Sequence, residues 1–129
     1  MVFLAHFFVA ATIFLLIDAL WIAGIANSFY KNQLGRLMAD SPNFGAAALF
    51  YLIYIWALLY FVVEPAFLLY SWPWLLKHAA FFGFAAYATY DLTNAATLKK
   101  WPFKLTIIDM AWGTALTTAV SAATYAIFR

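Results

Sequence analysis

Apolar residues run in four long blocks along the chain, at about residues 2–26, 44–70, 74–98 and 103–128, with short polar stretches between them. Each block exceeds the roughly 20 residues that a helix needs to cross the hydrocarbon of a bilayer. The pattern predicts an all-α membrane protein, a four-transmembrane-helix bundle forming a single transmembrane domain over residues 1–129. Composition points the same way, because 68% of the residues are hydrophobic and only 9% are charged, outside the range of soluble domains. The first block lacks the basic flank of a secretory signal peptide and its apolar run is too long for one, so it is expected to stay.

The polar stretches predict how the helices begin and end. In the connection over residues 27–43, Tyr30, Leu34, Leu37 and Met38 fall at helical spacing opposite Lys31, Asn32 and Arg36. That spacing predicts a short helix lying in the membrane interface, able to act as a lid; a solvated connector would show the same few matches. Ser41 and Pro42 read as the N-cap and first helical position of the second span. Pro65, near the far end of that span, lacks the N–H that would reach the Phe61 carbonyl, which predicts a kink or an early stop. Trp72 and Trp74 around Pro73, and Trp101 before Pro102, stand where aromatic belts mark the two interfaces.

Charge adds an orientation. Lys31 and Arg36 follow the first span and Lys99, Lys100 and Lys104 lie between the third and fourth, against Lys77 and Arg129 on the other side. Basic loops stay in the cytoplasm, so both termini are expected outside it. The slight positive balance suits anionic lipid headgroups, and no basic face is long enough for a nucleic acid. Cysteine is absent, which excludes disulfides, thiolate metal sites and thiol nucleophiles.

The candidate chemistry lies in the acidic residues. Of the five, Asp18, Glu64, Asp91 and Asp109 fall inside the apolar blocks and only Asp40 falls in a polar stretch. A charged side chain at the centre of a membrane helix costs about 2.5–3.5 kcal/mol on insertion scales, so such residues face a protein interior and mark a site or pathway. With the spans directed as above, Asp18, Asp91 and Asp109 reach a similar depth in the cytoplasmic half. His6, Glu64 and His78 form a second, outer layer, close enough to the interface to snorkel into water.

Each inner aspartate has a polar or aromatic neighbour on its own helix. Asp18 is followed at i+3 by Trp21 and Asp109 by Trp112, a recurrence that hints at duplication, while Asp91 has Asn94 at i+3 and Tyr87 at i−4. A Trp N–H or Tyr O–H can bond a buried carboxyl while its ring stays in apolar surroundings. Gly113, Thr117 and Ser121 continue the Asp109 face at intervals of four, a small-residue stripe suited to close helix packing. Three ionised aspartates close together would need a cation or a basic ligand, and a hard cation such as Mg2+ or Ca2+ would suit oxygen donors. If protonated, they could relay protons or bond across helices. No metal-ligand motif and no cofactor is assigned. The serine-hydrolase elbow, the His-Glu-x-x-His zinc motif and the phosphate-cradling glycine loop are missing, and enzyme activity stays open.

The run from Tyr87 through Tyr90, Asp91, Asn94 and Leu98, followed by Trp101-Pro102 and by Asp109-Met110-Ala111-Trp112-Gly113, resembles the bacterial membrane-protein family called DUF2177. The early Asp18-x-x-Trp21 and the pairs Tyr30-Lys31 and Leu34-Gly35 extend the likeness over almost the whole chain. The resemblance implies a small polytopic protein of the bacterial cell (inner) membrane and makes Asp18, Trp21, Asp91, Asn94, Asp109 and Trp112 signature positions. That family is named for its unknown function, so the reaction, if any, is not implied.

The favoured expectation is a protein that binds a lipid or other amphiphile between its helices, with the inner aspartates and Asn94 meeting its polar head and the abundant aromatic residues suiting a long apolar tail. A small proton- or cation-coupled transporter is the alternative, with His6, Glu64 and His78 as the opposite gate. A third is an accessory subunit packed on a larger membrane-protein partner. Membrane lipids are the expected partners, and a homodimer would suit the transporter reading, since four short helices enclose little room.

Overall fold

Residues of high helix propensity and unbroken apolar character leave the backbone one way to satisfy its polar groups away from water, which is to bond along the helix. A computed structural model describes residues 2–35 and 43–129. Among the described residues the structure is helical, with no strand. Helix α1 (Val2–Leu20) passes through a widened, π-helical stretch, Trp21–Ala26, into α2 (Asn27–Leu34). After the connection come α3 (Phe44–Leu58), a second π-helical stretch (Leu59–Val63) and α4 (Glu64–Leu69). Two 26-residue helices, α5 (Trp72–Thr97) and α6 (Phe103–Phe128), complete the chain.

The helix ends have local causes. The cap of α3 is Asn43, whose side-chain oxygen accepts from the Ala46 N–H at 3.0 Å; Ser41 and Pro42, expected as the cap, lie outside the described residues. Pro65 neither ends the second helical run nor stands in an ordinary turn. The Glu64 N–H just before it reaches back to the Leu59 carbonyl, five residues away, and this wider turn makes room for the proline ring next to a carbonyl it would otherwise strike. The run stops at Tyr70, in the left-handed conformation (φ 52°), and Ser71 then caps α5 by accepting from the Trp74 N–H at 3.1 Å. Residues 27–34 of the expected interfacial helix are helical and continue straight from the first run, whereas Arg36, Leu37 and Met38 lie outside the described residues.

The helices alternate in direction. His6 meets Phe128 at 4.4 Å between ring centres and Trp72 meets Tyr125 at 4.7 Å, so the start of α1, the start of α5 and the end of α6 share one end of the bundle. At the other end the Lys104 ammonium lies 6.0 Å from the Phe29 ring centre. Both chain ends therefore stand at the end that carries the 70–71 turn.

The most extensive contact joins α5 and α6, and glycines explain it. A Cβ on Gly83 would lie 2.5 Å from the Gly113 carbonyl oxygen and 2.6 Å from Thr117 Cβ, and one on Gly113 would lie 2.2 Å from the Tyr87 ring. The two backbones approach closely because neither glycine has a side chain there. Thr117 and Ser121 are fully buried on the same stripe. Phe14, Ile55, Leu58, Leu59, Leu116 and Val120 fill the interior.

The outer surface is apolar as well. Phe8, Leu16, Leu49, Trp56, Phe61 and Phe81 are exposed, an arrangement that suits a lipid solvent, since water-soluble bundles keep charged and polar side chains on the outward face. By length and apolarity two helical runs are able to cross a membrane, Val2–Gly24 with mean hydropathy 2.2 and Phe44–Leu69 with 2.3. Helices α5 and α6 are long enough, at about 39 Å for 26 residues on a 1.5 Å rise, but threonines and Lys77, His78, Asp91, Asn94 and Asp109 dilute their apolar character.

Candidate functional site: an acidic and aromatic pocket

Asp18 lies near the end of α1, and its helix widens three residues later at Trp21. A wider turn displaces the side chains that follow from ordinary helical register, and such turns recur at functional sites. Here it brings Trp21 flat against Trp112 of α6, with ring centres 4.2 Å apart and planes 9° from parallel. Trp112 Nε1 donates to Asp18 Oδ1 at 3.3 Å, and the Tyr51 hydroxyl of α3 donates to Asp18 Oδ2 at 3.2 Å. Asp18 is therefore held from two other helices. Its bonding Trp is the one from the second Asp-x-x-Trp motif rather than its own i+3 neighbour, so the two motifs interlock across the bundle.

Asp109 is 8% exposed and Asp18 9%, and both line one pocket of about 310 Å³. Its walls include Trp21, Phe50, Tyr51, Tyr87 and Trp112, and of its lining residues Ile22, Phe50 and Tyr90 are exposed at the surface. The Asp109 carboxyl is close enough to act electrostatically on both Asp18 and Asp91. Asp91 is sealed behind it at 0% exposure, and neither of its carboxyl oxygens has a partner at ordinary hydrogen-bond geometry. A buried carboxyl in that state is costly, so proton sharing with Asp109 or compensation by a ligand would relieve the site.

The structure thus brings Asp18, Asp91 and Asp109 into one region, with Trp21, Tyr87 and Trp112 among its walls. Tyr87 lays its ring on Gly113 while lining the pocket. Asn94 does not line it and lies beside Tyr90. Among the described residues no three His, Asp or Glu side chains converge as ligands for a metal ion. Ile22, Phe50, Tyr51, Ala86 and Tyr90 line the pocket without having been site candidates in the sequence. Tyr51 carries a weak signal, as a hydroxyl within an otherwise apolar run, but several tyrosines share it.

The outer layer divides. His6 Nδ1 pairs with Glu64 Oε1, and His6 is enclosed by the rings of Phe67 and Phe128 at 4.7 and 4.4 Å. This pair opens on a second pocket of about 290 Å³ that Arg129 also lines. His78 stands apart, stacked on Trp74 at 3.9 Å with its Nδ1 bonded to the Trp74 carbonyl at 2.8 Å. Between the pockets, Thr117 bonds the Tyr54 hydroxyl, Thr124 bonds the Val120 carbonyl, and Ser121 Oγ is buried without a partner.

No curated protein and no solved structure matches the chain. A family model does, over residues 3–126, a stretch that contains both Asp-x-x-Trp motifs, Asp91 and both glycines of the α5–α6 contact. The chain belongs to the family described as a predicted membrane protein, DUF2177.

Proposed function

We propose that this protein is a four-span inner-membrane protein that binds a lipid or other amphiphile, with the polar head in the pocket of Asp18 and Asp109. The observation that carries the reading is the pocket itself, in which two buried carboxyls from α1 and α6 meet an aromatic wall between helices whose outer faces are apolar. Ligand sites are mostly apolar concavities with a few placed polar groups, and bundle interiors are a usual location. The α2 stretch would lie in the cytoplasmic interface, and both termini would face away from the cytoplasm.

The test is lipid co-purification. Extracted gently and analysed by mass spectrometry, the protein should carry one amphiphile class enriched over the bulk membrane lipid. An Ala86→Trp variant, which fills the pocket from α5, should lose that enrichment while keeping its helical content. Equal enrichment in both proteins would sink the reading.

Transport stands as the second reading, favoured by the buried hydroxyls of Thr117, Ser121 and Thr124 between the two pockets. Proton-dependent uptake into vesicles, lost in Glu64→Gln and Asp109→Asn alike, would decide for it.

A further inference from the structure

The pocket's lining is selective in a way that identifies its ligand's head. Its charged residues are Asp18 and Asp109, and none of its ten lining residues is Lys, Arg or His. Two of its neutral donors, Trp112 Nε1 and the Tyr51 hydroxyl, are already bonded to Asp18. A phosphate, sulfate or carboxylate would meet carboxyl oxygens with no cation to offset the repulsion. Asp91, wholly buried beside Asp109, brings a third carboxyl to the same region.

The remaining surface is aromatic. Trp21, Phe50, Tyr51, Tyr87, Tyr90 and Trp112 supply six of the lining residues from four separate helical segments. The faces of such rings attract cations through their quadrupoles, and cages of this kind beside carboxylates recognise alkylated ammonium groups. The stacking of Trp21 on Trp112 and the bond from Trp112 to Asp18 fix the indoles before any ligand arrives, which limits the ordering cost of binding.

We infer that the pocket between α1, α3, α5 and α6 binds an alkylammonium group, with Asp18 and Asp109 as counter-charges and the Trp21–Trp112 pair as its aromatic wall. This deepens the proposed function and rests on it for the source of the group, a membrane amphiphile rather than a soluble amine. The volume of about 310 Å³ accommodates a trimethylammonium or aminoethyl head, and the exposed side chains of Ile22 and Phe50 offer its chain an apolar path out of the pocket.

The experiment uses the full chain in nanodiscs of phosphatidylglycerol, which contains no amine. Long-chain alkyltrimethylammonium, the alcohol and the sulfate of the same chain, and tetramethylammonium are titrated in turn. Binding is read from the circular-dichroism couplet of the stacked Trp21 and Trp112 and from the thermal unfolding midpoint. Expected is saturable binding of the alkylammonium at least tenfold tighter than the alcohol or sulfate, with that preference reduced tenfold or more in Asp18→Asn. Asp109→Asn serves as the second variant should Asp18→Asn fail to insert. Tetramethylammonium binding as tightly as the long-chain probe would support the ammonium site and overturn the amphiphile as its source. Alcohol and ammonium binding alike, in wild type and in both variants, would overturn the ammonium inference and leave amphiphile binding standing. No saturable binding of any probe would overturn both.

Discussion

Asp18 shows how little of a carboxyl's environment its neighbours in sequence determine. Its two donors, Trp112 and Tyr51, come from positions 94 and 33 residues away. Trp112→Phe would keep most of the ring stack on Trp21 and remove the N–H. Interhelical hydrogen bonds in membranes average about 0.6 kcal/mol and reach about 1.7 kcal/mol, so the variant should lose stability within that range while weakening the Trp–Trp couplet. A couplet unchanged in Trp112→Phe would mean that the signal arises elsewhere. At Asp91, replacement by Asn should abolish the cellular phenotype with insertion intact if the inner site requires an ionisable group, because the amide keeps the shape but cannot carry charge or share a proton with Asp109. A fully active, normally inserted Asp91→Asn would remove Asp91 from the site as a titrating group. That the three aspartates share one level of the bundle was legible in the sequence, since level follows from position along a helix. Their bonding partners were not, because helical periodicity reports neighbours at i±3 and i±4 and says nothing about which foreign helix supplies a donor.

Among the helices, the two widened stretches and the glycine contact do most to position the sites. Each π-helical stretch adjoins a polar layer: Trp21–Ala26 follows Asp18 and Leu59–Val63 precedes Glu64. The second has a visible cause in Pro65, and the sequence duly pointed to a disturbance there, although as a kink or stop rather than a wider turn. The first has no proline and no sequence signal, because tertiary packing of Trp21 on Trp112 accompanies it. The small-residue stripe of α6 was readable, and the structure adds its partner, Gly83 on α5. Gly113→Ala would drive a methyl group to within 2.2 Å of the Tyr87 ring, and overpacking of this kind costs typically about 1–3 kcal/mol. Reversible unfolding in mixed micelles should record that loss, together with a displaced Tyr87 and a reshaped pocket. Gly24→Ala is the contrast, because nothing lies within 4 Å of the added Cβ; its stability should change little or rise. Equal losses at both positions would mean that glycine flexibility, rather than the α5–α6 approach, sets the effect.

At the scale of the whole molecule, direction and orientation are separate questions. The contacts of His6 with Phe128 and of Trp72 with Tyr125 place both chain ends at one end of the bundle, and the basic residues then choose which face of the membrane that end occupies. Among the described residues Lys31, Lys99, Lys100 and Lys104 lie toward the opposite end, against Lys77 and Arg129, and Arg36 follows Lys31 in the sequence. Each basic residue in a short loop favours the cytoplasm, so the expected arrangement has the acidic pocket in the cytoplasmic half and the His6–Glu64 pair in the outer half. The absence of cysteine makes this easy to test by labelling single introduced thiols in intact cells with a membrane-impermeant maleimide. Lys99→Cys should stay unlabelled until the membrane is opened, whereas Arg129→Cys should label at once. The reverse result would put the acidic pocket in the outer half and expose it to amphiphiles of the outer leaflet. Labelling of both positions from outside would instead mean that α5 and α6 do not each cross the bilayer, and the four-span architecture would fall with it.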